Sequence, residues 1–178
     1  MRLFVAVELP REIRKKIAER FTAKLTGSFK AVEEENLHLT LCFVGEKNEE
    51  QTRKIVGRLE GMKFEPFEAE LSGAGSFGTR AVWVGLTQGA REAAGLAEKI
   101  CEACGTKDEK FHAHVTIARN KRAGEKEFEE TISRLKKEKF REKFLVKGFT
   151  LIKSELTEKG PVYAVVSERT FSKSDSGS

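Results

Sequence analysis

Short apolar runs alternate along the chain with segments in which apolar residues return every third or fourth position. The runs predict strands at 3–9, 38–44, 80–86 and 112–118, and the periodic segments predict helices at about 10–26, 48–61, 88–104 and 125–138. Residues 64–78 have a strand pattern followed by a glycine cluster, which predicts a strand and then a loop. Two further strands are predicted at 143–156 and 160–168, and the polar tail 172–178 is predicted to be disordered.

The order strand, helix, strand, helix occurs twice in this pattern, over residues 3–61 and again over 80–138. A chain of 178 residues is long enough for one domain, or for two small lobes that share a core. The repetition therefore indicates an internal duplication, or at least a pseudo-symmetric pair of lobes.

The second strand of each half contains a histidine and a threonine two positions apart, in "HLTLCFV" and "HAHVTIA". Because side chains at i and i+2 share one face of a strand, His38 and Thr40 are expected to point away from the core. On the opposite face we expect the apolar residues Leu39, Leu41 and Phe43. The second motif repeats the arrangement with His114 and Thr116 in front and Val115 and Ile117 behind. If a pseudo-twofold axis relates the halves, both front faces meet at one cleft.

Two imidazoles and two hydroxyls in one cleft suit the hydrolysis of a phosphodiester. Since imidazole titrates near neutral pH, one histidine can take a proton from water while the other gives a proton to the leaving oxygen. The hydroxyls can donate hydrogen bonds to phosphate oxygens, and no metal ion is required. A single motif of this kind is usually structural, but two copies use two of the three histidines in the chain.

Arg119 lies in the basic segment that follows the second motif and could neutralise phosphate charge. Strict alternation places it on the opposite face from His114, so it reaches the cleft only if the strand has ended or contains a bulge. His112 has the same parity as His114 and is expected at the rim.

A competing interpretation is a zinc site made of Cys101, Cys104, His112 and His114. Against it, both cysteines fall on the apolar face of the predicted helix, where a buried thiol is common. The helix and the following strand would also have to meet end to end.

The composition of the chain indicates which kind of partner it would bind. The chain is 39% hydrophobic and 34% charged, as in soluble globular proteins, and its net charge of +5 favours an anionic partner such as nucleic acid or a nucleotide. No apolar run approaches the ~20 residues of a membrane span. The N-terminus lacks the features of a signal peptide, and three cysteines do not suggest a disulfide framework, so a cytoplasmic location is expected.

Two His-x-Thr motifs in a small basic chain resemble the 2H phosphoesterase family. The segments "MRLFVAVELP", "HLTLCFVG", "RAVWVGL", "FHAHVTIAR" and "SEL…GPVYAV" are similar to the bacterial and archaeal RNA 2′,3′-cyclic phosphodiesterases, formerly 2′-5′ RNA ligases. The resemblance runs from residue 1 to about 170. One departure is Ala113, where the family usually has proline.

The resemblance implies an α+β fold in which residues 1–171 form one bilobal catalytic domain. Each pseudo-symmetric lobe would have an antiparallel-type sheet with helices outside, and the cleft would lie between the lobes. The implied reaction converts a 2′,3′-cyclic phosphate at an RNA end into a 2′-phosphate. His38 would be the proton donor and His114 the acceptor, Thr40 and Thr116 would bind the phosphate, and Arg119 would assist. No metal, cofactor, membrane or obligate protein partner is expected, and the chain is expected to be a monomer.

Two other functions stay open from the sequence. The same residues could catalyse the reverse reaction, which joins RNA ends through a 2′-5′ linkage. The chain could also be a non-catalytic RNA- or nucleotide-binding module, although binding alone does not need a matched acid and base.

Overall fold

The computed structural model describes residues 1–107 and 110–172. Within them the α-helices are α1 (Arg11–Arg20), α2 (Glu49–Glu60), α3 (Ala90–Cys104) and α4 (Glu125–Lys136). The strands are β1 (Arg2–Glu8), β2 (Phe29–Ala31), β3 (His38–Glu46), β4 (Phe67–Phe77), β5 (Ala81–Gln88), β6 (His114–Asn120), β7 (Arg141–Val146), β8 (Gly148–Thr157) and β9 (Gly160–Thr170). Beyond Ser172, the predicted disordered tail lies outside the described residues.

The strands form one nine-stranded sheet in the order β7-β4-β5-β6-β3-β1-β8-β9, with the short β2 paired to β6. All of its pairings are antiparallel, including the central one, in which Leu39 of β3 pairs with Val115 of β6. Dividing the sheet between β6 and β3 gives two halves: β7, β4, β5 and β6 with the short β2, and β3, β1, β8 and β9. Each half includes one strand–helix–strand–helix unit. The α+β class with two related halves is confirmed, and the boundary between the halves is the β3–β6 pair.

The main hydrophobic core lies between the sheet and the helices. Each helix contributes buried apolar residues to it, such as Ile17 of α1 and Leu96 of α3, and the central strands contribute Leu39 and Val115. A small separate cluster, formed by Phe4, Ala6 and Ile152 with Tyr163 packed against it, contains no helical residue among those described. The helices thus cover one face of the central strands and leave the other available for a site.

The glycine-rich stretch after residue 71 is part of strand β4, so the predicted loop was wrong. Gly75 pairs with Trp83 of β5, and a Cβ atom at Gly75 would overlap the Trp83 ring. Gly73 has a φ of 81° at an irregularity in the same pairing. These glycines permit a bulged strand and a large neighbouring side chain, rather than a turn.

The predicted strand 143–156 is two strands, β7 and β8, separated by Lys147. β7 pairs with β4 in one half of the sheet and β8 pairs with β1 in the other, so the chain changes halves between them. The apolar run itself contains no sign of this change of partner. Likewise, the first helix ends at Arg20 instead of continuing to residue 26, and a 3₁₀ turn at Thr22–Lys24 follows it.

Among the described residues, no helix has both the length and the apolar character needed to span a bilayer.

Candidate active site

The two His-x-Thr motifs lie side by side at the centre of the sheet. Antiparallel pairing about Leu39 and Val115 sets His38 alongside Thr116 and Thr40 alongside His114. These four polar side chains are half-buried, whereas the residues between them are fully buried on the helix side. The predicted alternation is therefore present in both motifs, and it presents two imidazoles and two hydroxyls on one face.

Each motif is followed by a bulge at the same offset. Leu41 is the extra residue in the β1–β3 pairing, and Ile117 is the extra residue in the β5–β6 pairing. In both strands two consecutive residues are then buried, and the alternation changes phase. The residue five positions after each histidine consequently returns to the face that carries the histidine.

The bulges decide the position of two residues. Phe43, predicted to lie in the core, is 72% exposed and pairs with Phe4 on the site face. That prediction was wrong because strict alternation does not hold past Leu41. Arg119 occupies the corresponding position on β6 and is exposed, so the bulge that would bring it to the site face exists.

His38 packs against aromatic side chains of the first half. Its ring stacks on Phe4 with centroids 5.1 Å apart and contacts the edge of Tyr163 at 5.7 Å. Tyr163 lies on β9, the strand at the sheet edge, and is also 5.1 Å from Phe4. These contacts bury most of the imidazole and restrict its orientation.

His114 is held by a different aromatic set. It makes an edge contact with Phe77 at 4.8 Å and lies 6.1 Å from Trp83, whose ring is 4.7 Å from His112. His112 is therefore a packing neighbour of the site histidine, in agreement with its expected rim position. Ala113, the departure from the family pattern, is buried, and β6 begins at His114 directly after it.

Both site histidines use the same nitrogen in the same backbone hydrogen bond. Nδ1–H of His38 donates to the carbonyl of Asn36 at 2.5 Å, and Nδ1–H of His114 donates to the carbonyl of His112 at 2.6 Å. A carbonyl can only accept, so Nδ1 carries the proton in each ring. The Nε2 atom of each imidazole is then the one that can exchange a proton with a substrate.

Burial lowers the pKa of both histidines below the ordinary value of 6.5, although the backbone hydrogen bonds oppose the shift. At His114 the positive charge of His112 lowers the pKa further. Both shifts favour the neutral form of the imidazole in the ligand-free protein. An anionic phosphate would raise the pKa of an adjacent imidazole and favour its protonated form.

Arg119 also acts on the surroundings of His38. Burial raises the pKa of Tyr163, and the positive charge of Arg119 partly opposes this shift. The guanidinium therefore lies near enough to Tyr163 to influence it, and Tyr163 contacts His38. Lys30 of β2 pairs with Arg119, which places a second cation beside the arginine.

Comparison with known proteins assigns the chain to a family. The family model described as the 2′-5′ RNA ligase superfamily matches residues 8–158. The chain belongs to the 2′-5′ RNA ligase superfamily. Two similar superfamily members are named RNA 2′,3′-cyclic phosphodiesterase. The protein from Archaeoglobus fulgidus is 38% identical over 92% of this chain and 96% of its own length, and the one from Thermus thermophilus is 36% identical over 93% and 88%. The resemblance seen in the motifs is confirmed.

Solved structures with similar sequences share the fold. A Thermus thermophilus protein superposes with a TM-score of 0.75 at 31% identity, covering 96% of this chain and 98% of the other. Escherichia coli LigT in complex with 3′-AMP superposes with a TM-score of 0.79 at 25% identity, covering 97% and 98%. The similarity extends over both halves of the sheet.

The four residues considered above as zinc ligands do not come together in the structure. Cys101 and Cys104 are buried and contact Cys42, whereas His112 and His114 pack against Trp83. Within the described ranges 1–107 and 110–172, no group of three or more histidine, cysteine or acidic residues is arranged to hold a metal ion.

Sequence reasoning missed the aromatic residues of the site. The only tryptophan and the only tyrosine of the chain, Trp83 and Tyr163, lie beside the two motifs, together with Phe4 and Phe77. The strands of Phe4, Trp83 and Tyr163 were predicted, whereas Phe77 falls in the stretch that was predicted as a loop. Strand pairing between distant segments decides which aromatic side chain meets which histidine. A single Trp and a single Tyr, each within a predicted strand, were the only available signal.

Proposed function

We propose that this protein hydrolyses RNA 2′,3′-cyclic phosphodiester ends to 2′-phosphomonoesters by metal-independent acid–base catalysis with two histidines. The observation that carries the proposal is the pair of antiparallel His-x-Thr strands. Each holds Nδ1 of its histidine in a backbone hydrogen bond and leaves Nε2 for proton transfer. The names of the curated relatives support the choice of substrate.

The proposed reaction needs one proton acceptor and one proton donor on opposite sides of the phosphorus. Nε2 of His114 takes a proton from water as its oxygen attacks phosphorus. The bond between phosphorus and O3′ breaks, and Nε2–H of His38 protonates O3′, which leaves the phosphate on O2′. The family resemblance, rather than the symmetry of the site, assigns these two roles.

The threonines and Arg119 would stabilise the charge on the phosphate. In the strand register Thr40 lies beside His114 and Thr116 lies beside His38, so that their hydroxyls can donate to the non-bridging oxygens of a phosphate bound between the histidines. Arg119 adds a positive charge at the edge of the same face. The bound phosphate would in turn raise the pKa of His38 and so favour the protonated acid, against the effect of burial.

The RNA chain would take one orientation because the two sides of the site differ. Arg119 and Lys30 form a cationic side suited to backbone phosphates, whereas the exposed ring of Phe43 is suited to stacking on a base. We propose that RNA enters from the cationic side, and that this fixes which ribose oxygen leaves.

RNA end-joining is a second candidate, favoured by the family description. Microscopic reversibility allows the same histidines to join a 2′,3′-cyclic phosphate end to a 5′-hydroxyl end. In water, hydrolysis is expected to dominate unless both ends are held in the site. A binding module without catalysis would have no use for two imidazoles that each have Nε2 directed to the same face.

The proposal is tested with 2′,3′-cyclic AMP as substrate, in buffer treated exhaustively with EDTA. We expect turnover at an unchanged rate and a mononucleotide product. Loss of activity on chelation, with recovery on adding zinc, would contradict the metal-independent mechanism.

A further inference from the structure

The three cysteines of the chain meet behind the site, between strand β3 and helix α3. Cys42 follows the bulge residue of β3, and Cys101 and Cys104 are one turn apart on α3. All three side chains are at least 96% buried, and none forms a disulfide. The thiol of Cys101 donates to Sγ of Cys42 across 2.7 Å, and the side chain of Cys104 also hydrogen-bonds to Cys42. Cys42 is thus in contact with both thiols of the helix.

The separation of Cys42 and Cys101 favours a covalent bond over a metal. A disulfide has sulfurs about 2.05 Å apart, so the two Sγ atoms, now 2.7 Å apart, need to approach by about 0.7 Å. A trigonal metal site would instead require the sulfurs to move apart, because metal–sulfur bonds are about 2.3 Å long and point in different directions. We propose that Cys42 and Cys101 form a redox-modifiable site, which a low-molecular-weight disulfide oxidises to a bond joining β3 to α3.

The third cysteine can act as the base for this step. Its hydrogen bond with Cys42 and the charges of Lys47 and Arg58 lower the pKa of Cys104, against the effect of burial. The hydrogen bond with Cys104 and burial raise the pKa of Cys42. In the resting protein these shifts keep the proton on Cys42. The proton passes to the hydrogen-bonded Cys104 thiolate only as the bond between the Cys42 and Cys101 sulfurs forms, because bond formation makes the Cys42 thiol strongly acidic.

The reaction balances as two thiol–disulfide exchanges. The Cys101 sulfur attacks the reagent disulfide, forms a mixed disulfide and releases one reagent thiol, which carries the proton of Cys101. The Cys42 sulfur then attacks the Cys101 sulfur and releases the second reagent thiol, while Cys104 relays the proton of Cys42 to it. The protein loses two hydrogens and the reagent gains them. A surface groove of about 940 Å³ is lined in part by Cys101, Ala97 and Phe111, and it is the side from which a small reagent would approach the buried sulfur of Cys101.

The bond would stabilise the fold without changing the catalytic face. It would close a loop between residues 59 positions apart, which constrains the unfolded chain strongly. Cys42 is buried on the helix side of β3, whereas His38 and Thr40 face the other way. We therefore expect higher thermal stability, with turnover of a cyclic phosphate substrate unchanged within about twofold.

The test is incubation of the reduced, folded protein with oxidised glutathione. We expect a mass loss of about 2 Da, a Cys42–Cys101 link in the non-reducing peptide map, and a Tm rise of about 5 °C or more that dithiothreitol reverses. A stable glutathione adduct as the only product, a Cys101–Cys104 link, or a link with no rise in Tm would each overturn the proposal.

Two variants and one solvent control sharpen the test. Cys42→Ala retains both helix cysteines and should show neither the link nor the rise in Tm. Cys104→Ser should still form the Cys42–Cys101 link, but more slowly, because the base is lost. Oxidation in denaturant should give all three pairings, so the same mixture from the folded protein would mean that the fold does not select the pair.

Discussion

Strands β3 and β6 have the same backbone plan but different neighbours. Each begins with its histidine, has a bulge three positions later and returns its fifth following residue to the site face. At that position β3 has Phe43 opposite Phe4, and β6 has Arg119 opposite Ala81. Beside the threonines the bulk is reversed, since Ala6 pairs with Thr40 and Trp83 pairs with Thr116.

The two strands show what the backbone arrangement common to both halves provides, as distinct from what individual side chains provide. Register, bulges and the Nδ1 hydrogen bonds are nearly the same in both halves, and they produce two equivalent imidazoles. The two halves differ in the residues around the imidazoles, because β3 contributes the ring of Phe43 and β6 contributes the cation of Arg119. The different roles that we propose for the two histidines therefore have to come from their surroundings.

Removal of the His38 or the His114 side chain should lower turnover more than any other single substitution proposed below. We expect His38→Ala and His114→Ala each to lower kcat for 2′,3′-cyclic AMP by at least ~10², because each removes one proton-transfer group. His112→Ala is the matched control, since it removes the third histidine and is expected to cost less than tenfold. Near-normal turnover in a folded His38 or His114 variant would show that the two motifs are not an acid–base pair.

Arg119→Met should have the next largest effect. A charge-assisted hydrogen bond is worth about 1.5–3 kcal/mol, so kcat/KM for a cyclic-phosphate-ended oligonucleotide should fall about 10- to 100-fold. Arg91→Met removes the same charge from an exposed position at the start of α3 and should leave kcat/KM unchanged. Equal losses in both variants would mean that only net charge matters.

Phe43→Ala tests the other side of the comparison. If the ring stacks on a base, KM for 2′,3′-cyclic AMP should rise about fivefold with kcat unchanged, the low end expected for one stacked base. A base-free ribose 2′,3′-cyclic phosphate should show no change. Leu145→Ala, which removes an exposed apolar side chain from β7, is the control. A loss of kcat with both substrates would indicate a structural role for Phe43.

The pH dependence should distinguish the free site from the occupied one. Because burial lowers the pKa of both histidines, the free protein loses its protonated imidazole as the pH rises through a value below 6.5. We therefore expect kcat/KM to fall on the alkaline side with a midpoint below 6.5, and kcat to fall at higher pH because bound phosphate raises the pKa. A kcat/KM that rises steadily up to pH 8 would point to a base that acts without an acid.

Much of this fold could be predicted from local pattern. Periodicity identified the four helices and most of the strands, because each covers one face of a core, and it put His38 and Thr40 on the same face. It could not identify the bulges, which depend on how β1 and β5 pair with the central strands. Phe43 was therefore placed in the core, and the route of Arg119 to the site face stayed conditional.

The side chains that surround the two histidines could not be predicted from local sequence patterns either, because they too depend on which strands pair. Tyr163 reaches His38 only because β8 and β9 follow β1 in the sheet, and no local pattern encodes that order. Gly75 was read as a loop residue because its partner, Trp83, is known only once β4 and β5 are paired. Long-range pairing sets both contacts.

The central claim is that the two histidines have fixed roles, with His38 always the proton donor and His114 always the proton acceptor. The position of the phosphate in the product tests this claim most directly. An RNA oligonucleotide with a 2′,3′-cyclic phosphate end is incubated with the protein, and the product is examined by ³¹P NMR and by sensitivity to phosphatase. We expect a single monoester that carries the phosphate on O2′. A comparable mixture of 2′- and 3′-phosphates would contradict the claim that the surroundings of the two motifs fix their roles, and a mainly 3′-phosphate product would reverse the roles assigned to His38 and His114.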